Sequence, residues 1–130
     1  MHIIIGGAYS GKRQFVREKY GSFQLISAYE GQSMKEEKQS DTVVYEGFEI
    51  WISELIKAGQ SNQEIVEIFR EWVCSQQEAV LIMLEIGRGI VPIEEHDRRL
   101  RDVVGWVQQE AVKKADEVTS IWHGLAKRLK

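Results

Sequence analysis

His2-Ile3-Ile4-Ile5-Gly6-Gly7-Ala8-Tyr9-Ser10-Gly11-Lys12 opens the chain as an apolar run that feeds G-x-x-x-x-G-K. That is the sequence form of a phosphate-binding loop, set between a buried strand and a helix. Its glycines let the backbone wrap a phosphate with successive N–H groups pointing inward. The helix that follows, through Tyr20, adds its positive N-terminus, and the Lys12 ammonium reaches the outer phosphates. Gly6, Gly7, Ala8, Tyr9, Ser10, Gly11, Lys12 and Arg13 are therefore the candidate nucleotide-binding residues. A glycine-rich turn from strand to helix, with no ligand, would use the same small residues.

Position 13 departs from the motif. The full pattern continues with Ser or Thr, whose hydroxyl ligates the Mg²⁺ that bridges the β- and γ-phosphates. Arg13 stands there instead. A guanidinium neutralises phosphate charge but has no lone pair to give a metal. Binding of a nucleotide or other phosphate is thus better supported than phosphoryl transfer.

The rest of the composition narrows the class. At 130 residues the chain is expected to form one domain, residues 1–130, with a single core. Charged residues at 28 % and hydrophobic ones at 43 % are ordinary for a soluble globular protein. A net charge of −3 gives no electrostatic reason to expect nucleic acid. The lone Cys74 excludes an internal disulfide, and with three scattered histidines it leaves no zinc pattern. Cys74 is expected to pack one face of a helix. No apolar run reaches membrane-span length, and Met1 leads almost directly into the first strand, so the expected location is cytoplasmic.

Short apolar runs alternate with helical patterns. Strands are expected at His2–Ile5, Phe23–Ser27, Thr42–Tyr45, Ala79–Leu84 and Val118–Trp122. Runs apolar throughout, such as Val80-Leu81-Ile82-Met83-Leu84, suit strands buried on both faces. Helices are expected at Lys12–Tyr20, Phe48–Ala58, Asn62–Ser75 and Glu94–Lys114. In the third, Ile65, Ile68, Phe69, Trp72 and Val73 make one apolar stripe, opened by a Ser61/Glu64 capping box. The polar stretch Ala28–Asp41 reads as a mobile surface loop. Leu125–Lys130 is ambiguous between helix and a short edge strand. The expected fold is α/β, a mainly parallel sheet flanked by helices in the style of RecA-like P-loop NTPases.

Two carboxylates end predicted strands, where ligands collect in an open α/β sheet. Glu46 follows Thr42–Tyr45 and is placed like the carboxylate that holds Mg²⁺, directly or through water; Glu85 follows Ala79–Leu84. A lone strand-end carboxylate also serves as a helix cap or simply faces water. Glu85 opens Glu85-Ile86-Gly87-Arg88-Gly89-Ile90-Val91-Pro92, whose spaced glycines and proline argue for a shaped loop in which Arg88 is able to reach an anion. Arg98, Arg99 and Arg101 read as a solvated or interfacial face of the next helix.

With these segments in view, the chain resembles the adenosylcobinamide kinase / adenosylcobinamide-phosphate guanylyltransferase enzymes of cobalamin assembly. Gly6–Lys12 matches the family's G-G-A-x-S-G-K, and Glu46 followed by Ile50-Trp51-Ile52-Ser53 and Leu55 resembles its E-x-x-T-L-W-L-S-N-L. Glu85–Pro92 resembles E-V-G-x-G-I-V-P, a segment specific to the family. Arg101-Asp102, Gly105, Gln109, Ala115–Val118 and Gly124 resemble its ending. The likeness covers most of the chain except 21–41, and it tips Leu125–Lys130 towards a strand.

The resemblance implies GTP or ATP at the loop and an adenosylcobinamide (corrinoid) substrate. It implies Mg²⁺ weakened by Arg13, and trimeric assembly. Lys12 and Glu46 would carry catalysis, with Glu46 also the metal ligand, and Glu85 and Arg88 would join the nucleotide site. The family places a helix between its second and third strands, with a histidine that takes up GMP covalently. Here that segment holds no histidine; His2, His96 and His123 all lie elsewhere. Glu49, Glu54 and Gln108 also depart from the family's Thr, Asn and Asn. The expectation is a shortened kinase-like protein without the guanylyltransferase half. The alternatives are a non-catalytic nucleotide- or corrinoid-binding descendant and a P-loop kinase of another small molecule.

Overall fold

Alternation within the first strand sets the two layers of the core. Ile3 packs into one buried cluster and Ile4 into another on the opposite face, both fully shielded from water. The computed structural model describes residues 1–86 and 94–130. The strands are β1 (His2–Gly6), β2 (Gln24–Ser27), β3 (Val43–Glu46), β4 (Val80–Leu84), β5 (Glu117–Trp122) and β6 (Leu125–Arg128). The helices are α1 (Lys12–Tyr20), α2 (Phe48–Lys57), α3 (Asn62–Cys74) and α4 (Glu95–Lys114). Every expected element is present, with ends moved by no more than one residue, and the C-terminal segment is the edge strand.

The sheet order is β2-β3-β4-β1-β5-β6, parallel except for the final β5–β6 hairpin. Strand β1 is central, with Ile3 paired to Leu81 on one side and Val118 on the other. Its C-terminal end therefore delivers the glycine loop to the middle of the sheet's upper edge. Glu46 ends β3, one strand beyond β4, on that same edge.

The two faces are unequal. Val16 of α1 packs with Ile4, Val44, Val80, Ile82 and Ile121. On the other face, α2, α3 and α4 bury Phe48, Ile52, Ile65, Phe69, Trp72, Val103, Val104 and Val107 against Ile3, Tyr45, Leu81, Met83 and Val118. Tyr45, Phe48 and Trp72 meet edge-to-face with centroids 4.9 and 5.6 Å from the indole. The capping box at Ser61 is formed in both directions, at 3.1 Å each way.

Three expectations need correction. The stretch 28–41 does not lie loose on the surface. Ala28–Glu30 makes a 3-10 turn, Met34 is 3 % exposed in the core, and its carbonyl accepts from Trp72 Nε1 at 2.8 Å. The buried indole N–H needs an acceptor, and Met34 provides it. Cys74, expected to pack a helix face, is exposed, 3.5 Å from Lys114 Nζ. It ends α3 on the face away from Trp72 and Val73, which are the residues buried there. Arg99 is not a solvated charge but clamps the α2–α3 connection, donating to the Gln60 carbonyl and to Asn62. Among the described residues, no helix is long and apolar enough to cross a membrane.

Candidate functional site

The loop Gly6–Lys12 is held in shape by its own backbone and by its neighbours. A Cβ on Gly6 would sit 2.5 Å from Ser10 Oγ and 2.6 Å from the Ile121 carbonyl, so only glycine fits. Gly11 adopts φ +97, the left-handed region, to launch α1. Ser10 donates its amide to the Gly7 carbonyl at 3.3 Å, and the Ser10 carbonyl accepts from Gly124 N at 2.8 Å. The turn of the β5–β6 hairpin thus braces the loop from the side. Lys12 Nζ folds back onto the Gly7 carbonyl at 2.5 Å and lies 3.4 Å from Ser10 Oγ. Burial pushes the Lys12 ammonium below its ordinary pKa, against the pull of Glu49 and Glu46.

Arg13 reaches from the first turn of α1 to the end of β3. Its Nε donates to Glu46 Oε1 at 2.7 Å and its Nη2 to Oε2 at 2.6 Å, a two-pronged pair. Glu46 is 2 % exposed, whereas the Arg13 side chain is 46 % exposed. The hydrogen bonds it donates to Glu46 raise the Arg13 pKa still further, so its charge is permanent. Both oxygens of the expected metal ligand are therefore occupied by the residue that replaced the expected hydroxyl.

A cavity of about 600 Å³ lies beside the loop, lined by Ala8, Tyr9, Ser10, Gly11, Lys12, Arg13, Gln14, Arg17, Tyr29, Glu46, Glu49, Ile82 and Leu84. The structure thus brings most of the predicted loop together with Glu46. Glu85 donates its backbone N–H to the Gly6 carbonyl at 2.8 Å and does not line the cavity. Arg88 lies outside the described residues.

The sequence reading missed Tyr29 and Glu49 as site residues. Tyr29 OH donates to Glu49 Oε2 at 2.5 Å, and burial, followed by Glu49, drives the phenol pKa well above its ordinary value. Glu49 lies in the first turn of α2, three residues after the strand-end Glu46, and that closeness in sequence was the available signal. Tyr29 had none, because it sits in the segment read as detached.

None of the described histidines lines the cavity. His2 is buried between Tyr20 OH and Thr119 Oγ1, 2.5 and 2.8 Å away. His96 Nε2 is 3.0 Å from Ser53 Oγ, and His123 occupies the β5–β6 turn at φ 48. Among the described residues, no group of three or more His, Cys, Asp or Glu side chains is arranged to hold a metal ion.

Comparison with known families gives one finding. The family model described as "Cobinamide kinase / cobinamide phosphate guanyltransferase" matches residues 17–129, starting inside α1, just after the loop. A comparison with curated proteins gave no match.

Proposed function

Since the chain belongs to the cobinamide kinase / cobinamide phosphate guanyltransferase family, we propose that it binds GTP or ATP at Gly6–Lys12 and passes the γ-phosphate to the hydroxyl of the aminopropanol arm of adenosylcobinamide. The observation that carries this reading is the braced loop, whose Lys12 opens onto the same cavity as Arg13 and Arg17. Loop amides and the α1 N-terminus would surround the phosphates, and Lys12 would exchange the Gly7 carbonyl for phosphate oxygens. In the transfer, the bond from the γ-phosphorus to the bridging oxygen breaks and a bond to the acceptor oxygen forms. The bridging electron pair would leave with the nucleoside diphosphate, and the acceptor hydroxyl would give its proton to the Glu49 oxygen that Tyr29 does not engage.

The family implies Mg²⁺, and the residues here do not fit it. Position 13 offers no oxygen, and both Glu46 oxygens are taken by a fixed cation. This favours a second reading, in which nucleotide is bound without turnover and the protein serves as a regulatory or carrier module.

Calorimetric titration with GTP, ATP and adenosylcobinamide tests the site. Lys12→Ala should weaken nucleotide binding by roughly 2–4 kcal/mol, the loss of a charge-assisted contact in a partly desolvated pocket. Equal affinity in wild type and variant would remove the phosphate site. Label from γ-labelled GTP or ATP appearing on cobinamide supports transfer; tight binding with no label supports the second reading.

A further inference from the structure

Resting on the nucleotide reading above, we infer that the Arg13–Glu46 pair stands in for the divalent cation, so that the site takes the triphosphate of a nucleotide free of Mg²⁺. In a complete phosphate loop, one hydroxyl and one strand-end carboxylate steer a cation onto the phosphate oxygens. Both positions are filled here, by a cation and its counter-ion. Arg13 is anchored to Glu46 through two parallel hydrogen bonds of 2.7 and 2.6 Å. Glu46, 2 % exposed, has almost no water to fall back on if the guanidinium leaves.

A metal seated on Glu46 would have to displace that fork. It would also lie beside a guanidinium that cannot lose its charge. Mg²⁺ sheds water reluctantly and demands near-octahedral oxygen ligands at about 2.0–2.1 Å. The displaced Glu46 would find no hydroxyl at position 13 beside it, and the other carboxylate of the cavity, Glu49, already accepts from Tyr29.

The outer side of Arg13 is built for the opposite task. Two of its five N–H donors are spent on Glu46, and the other three make no bond among the described residues. The side chain is nearly half exposed and lines the same cavity as Lys12 and Arg17. Three cations thus line one cavity, against the carboxylates of Glu46 and Glu49. Glu46 holds one of them in place rather than standing open to a metal. A guanidinium supplies charge and two parallel donors to phosphate oxygens, the recognition for which arginine is suited.

Mg²⁺ then competes with the protein for the nucleotide instead of assisting it. Titration with GTP and with ATP, in excess Mg²⁺ and in EDTA, should show affinity in EDTA equal to or higher than in Mg²⁺. Arg13→Ser returns the hydroxyl and frees Glu46, and its affinity should rise roughly tenfold or more on adding Mg²⁺. Because that variant also strips a buried carboxylate of its partner, wild type gives a second readout. Mn²⁺ bound to GTP loses its sharp paramagnetic resonance, so adding protein to a Mn²⁺–GTP mixture should raise the free Mn²⁺ signal.

Roughly tenfold tightening of wild type by Mg²⁺, or a free Mn²⁺ signal that falls as protein is added, overturns the inference and leaves the nucleotide site standing. A folded Arg13→Ser that gains no Mg²⁺ dependence removes Arg13 as the cause. Failure of both nucleotides to bind in either buffer sinks the nucleotide reading itself, and the inference with it.

Discussion

Arg13, on which the proposed metal-free site rests, also carries stability. Removing it leaves the Glu46 carboxylate buried without a partner, the costly half of breaking a buried pair. Because Arg13 itself is half exposed, water can follow the lost side chain. Arg13→Ala should therefore destabilise the fold by about 1–3 kcal/mol rather than more. Arg13→Ala combined with Glu46→Gln should recover much of that loss in urea unfolding, since a neutral amide is cheaper to leave in place. His2 gives a separate pH dependence. Burial, helped by the charges of Lys19, the N-terminus and Arg128, holds its pKa below the ordinary 6.5, with only Glu117 opposing. The unfolded chain therefore takes up a proton first as pH falls through about 6.5, and stability drops from there towards the lowered folded value. His2→Gln should flatten that part of the stability curve, read as urea midpoints at successive pH values. Position 13 was legible as a departure, because one missing hydroxyl in a known pattern is a local fact. Its partner was not, because residues 13 and 46 are joined only by the strand order.

At the scale of elements, most boundaries were readable because periodicity and punctuation agreed. The α3 stripe, the Ser61/Glu64 box and the apolar β4 run each point to one state, and each formed. What composition could not show was that 28–41 is tied down. Charge and polarity dominate that stretch, while its anchors include one buried methionine, that residue's carbonyl, and hydrogen bonds that join Gln32, Lys38 and Gln39 to residues outside it. The capping box gives a clean test of how far stability and site are separable. Ser61→Ala removes one side-chain acceptor for the Glu64 amide and should lower stability by about 1 kcal/mol. Since α3 packs on the face opposite α1, nucleotide affinity should not change. A weakened titration in that variant, at matched folded fraction, would show that α3 communicates with the loop.

For the molecule as a whole, the sheet order keeps His2 and His96 out of the cavity and puts His123 in the turn that braces the loop, an arrangement that does not favour guanylyl transfer. That reaction needs a nucleophile within reach of the α-phosphate and activated there. His2 starts β1, at the far end of the strand from the loop, and is locked between Tyr20 and Thr119. His96 belongs to α4 and is engaged by Ser53 of α2. His123 has its ring against Trp122, with centroids 4.7 Å apart, although its neighbour Gly124 touches the loop through Ser10. The segment between β2 and β3, which in the family resemblance carries the histidine, supplies Tyr29 to the cavity instead. A phenol whose pKa is driven far above its ordinary value is a poor nucleophile near neutral pH. Incubation with α-labelled GTP should therefore leave the chain unlabelled after denaturation. Acid-labile, stoichiometric label would overturn the loss of that half-reaction. If His123→Ala then abolished the label, the hairpin turn would be the replacement for the missing histidine.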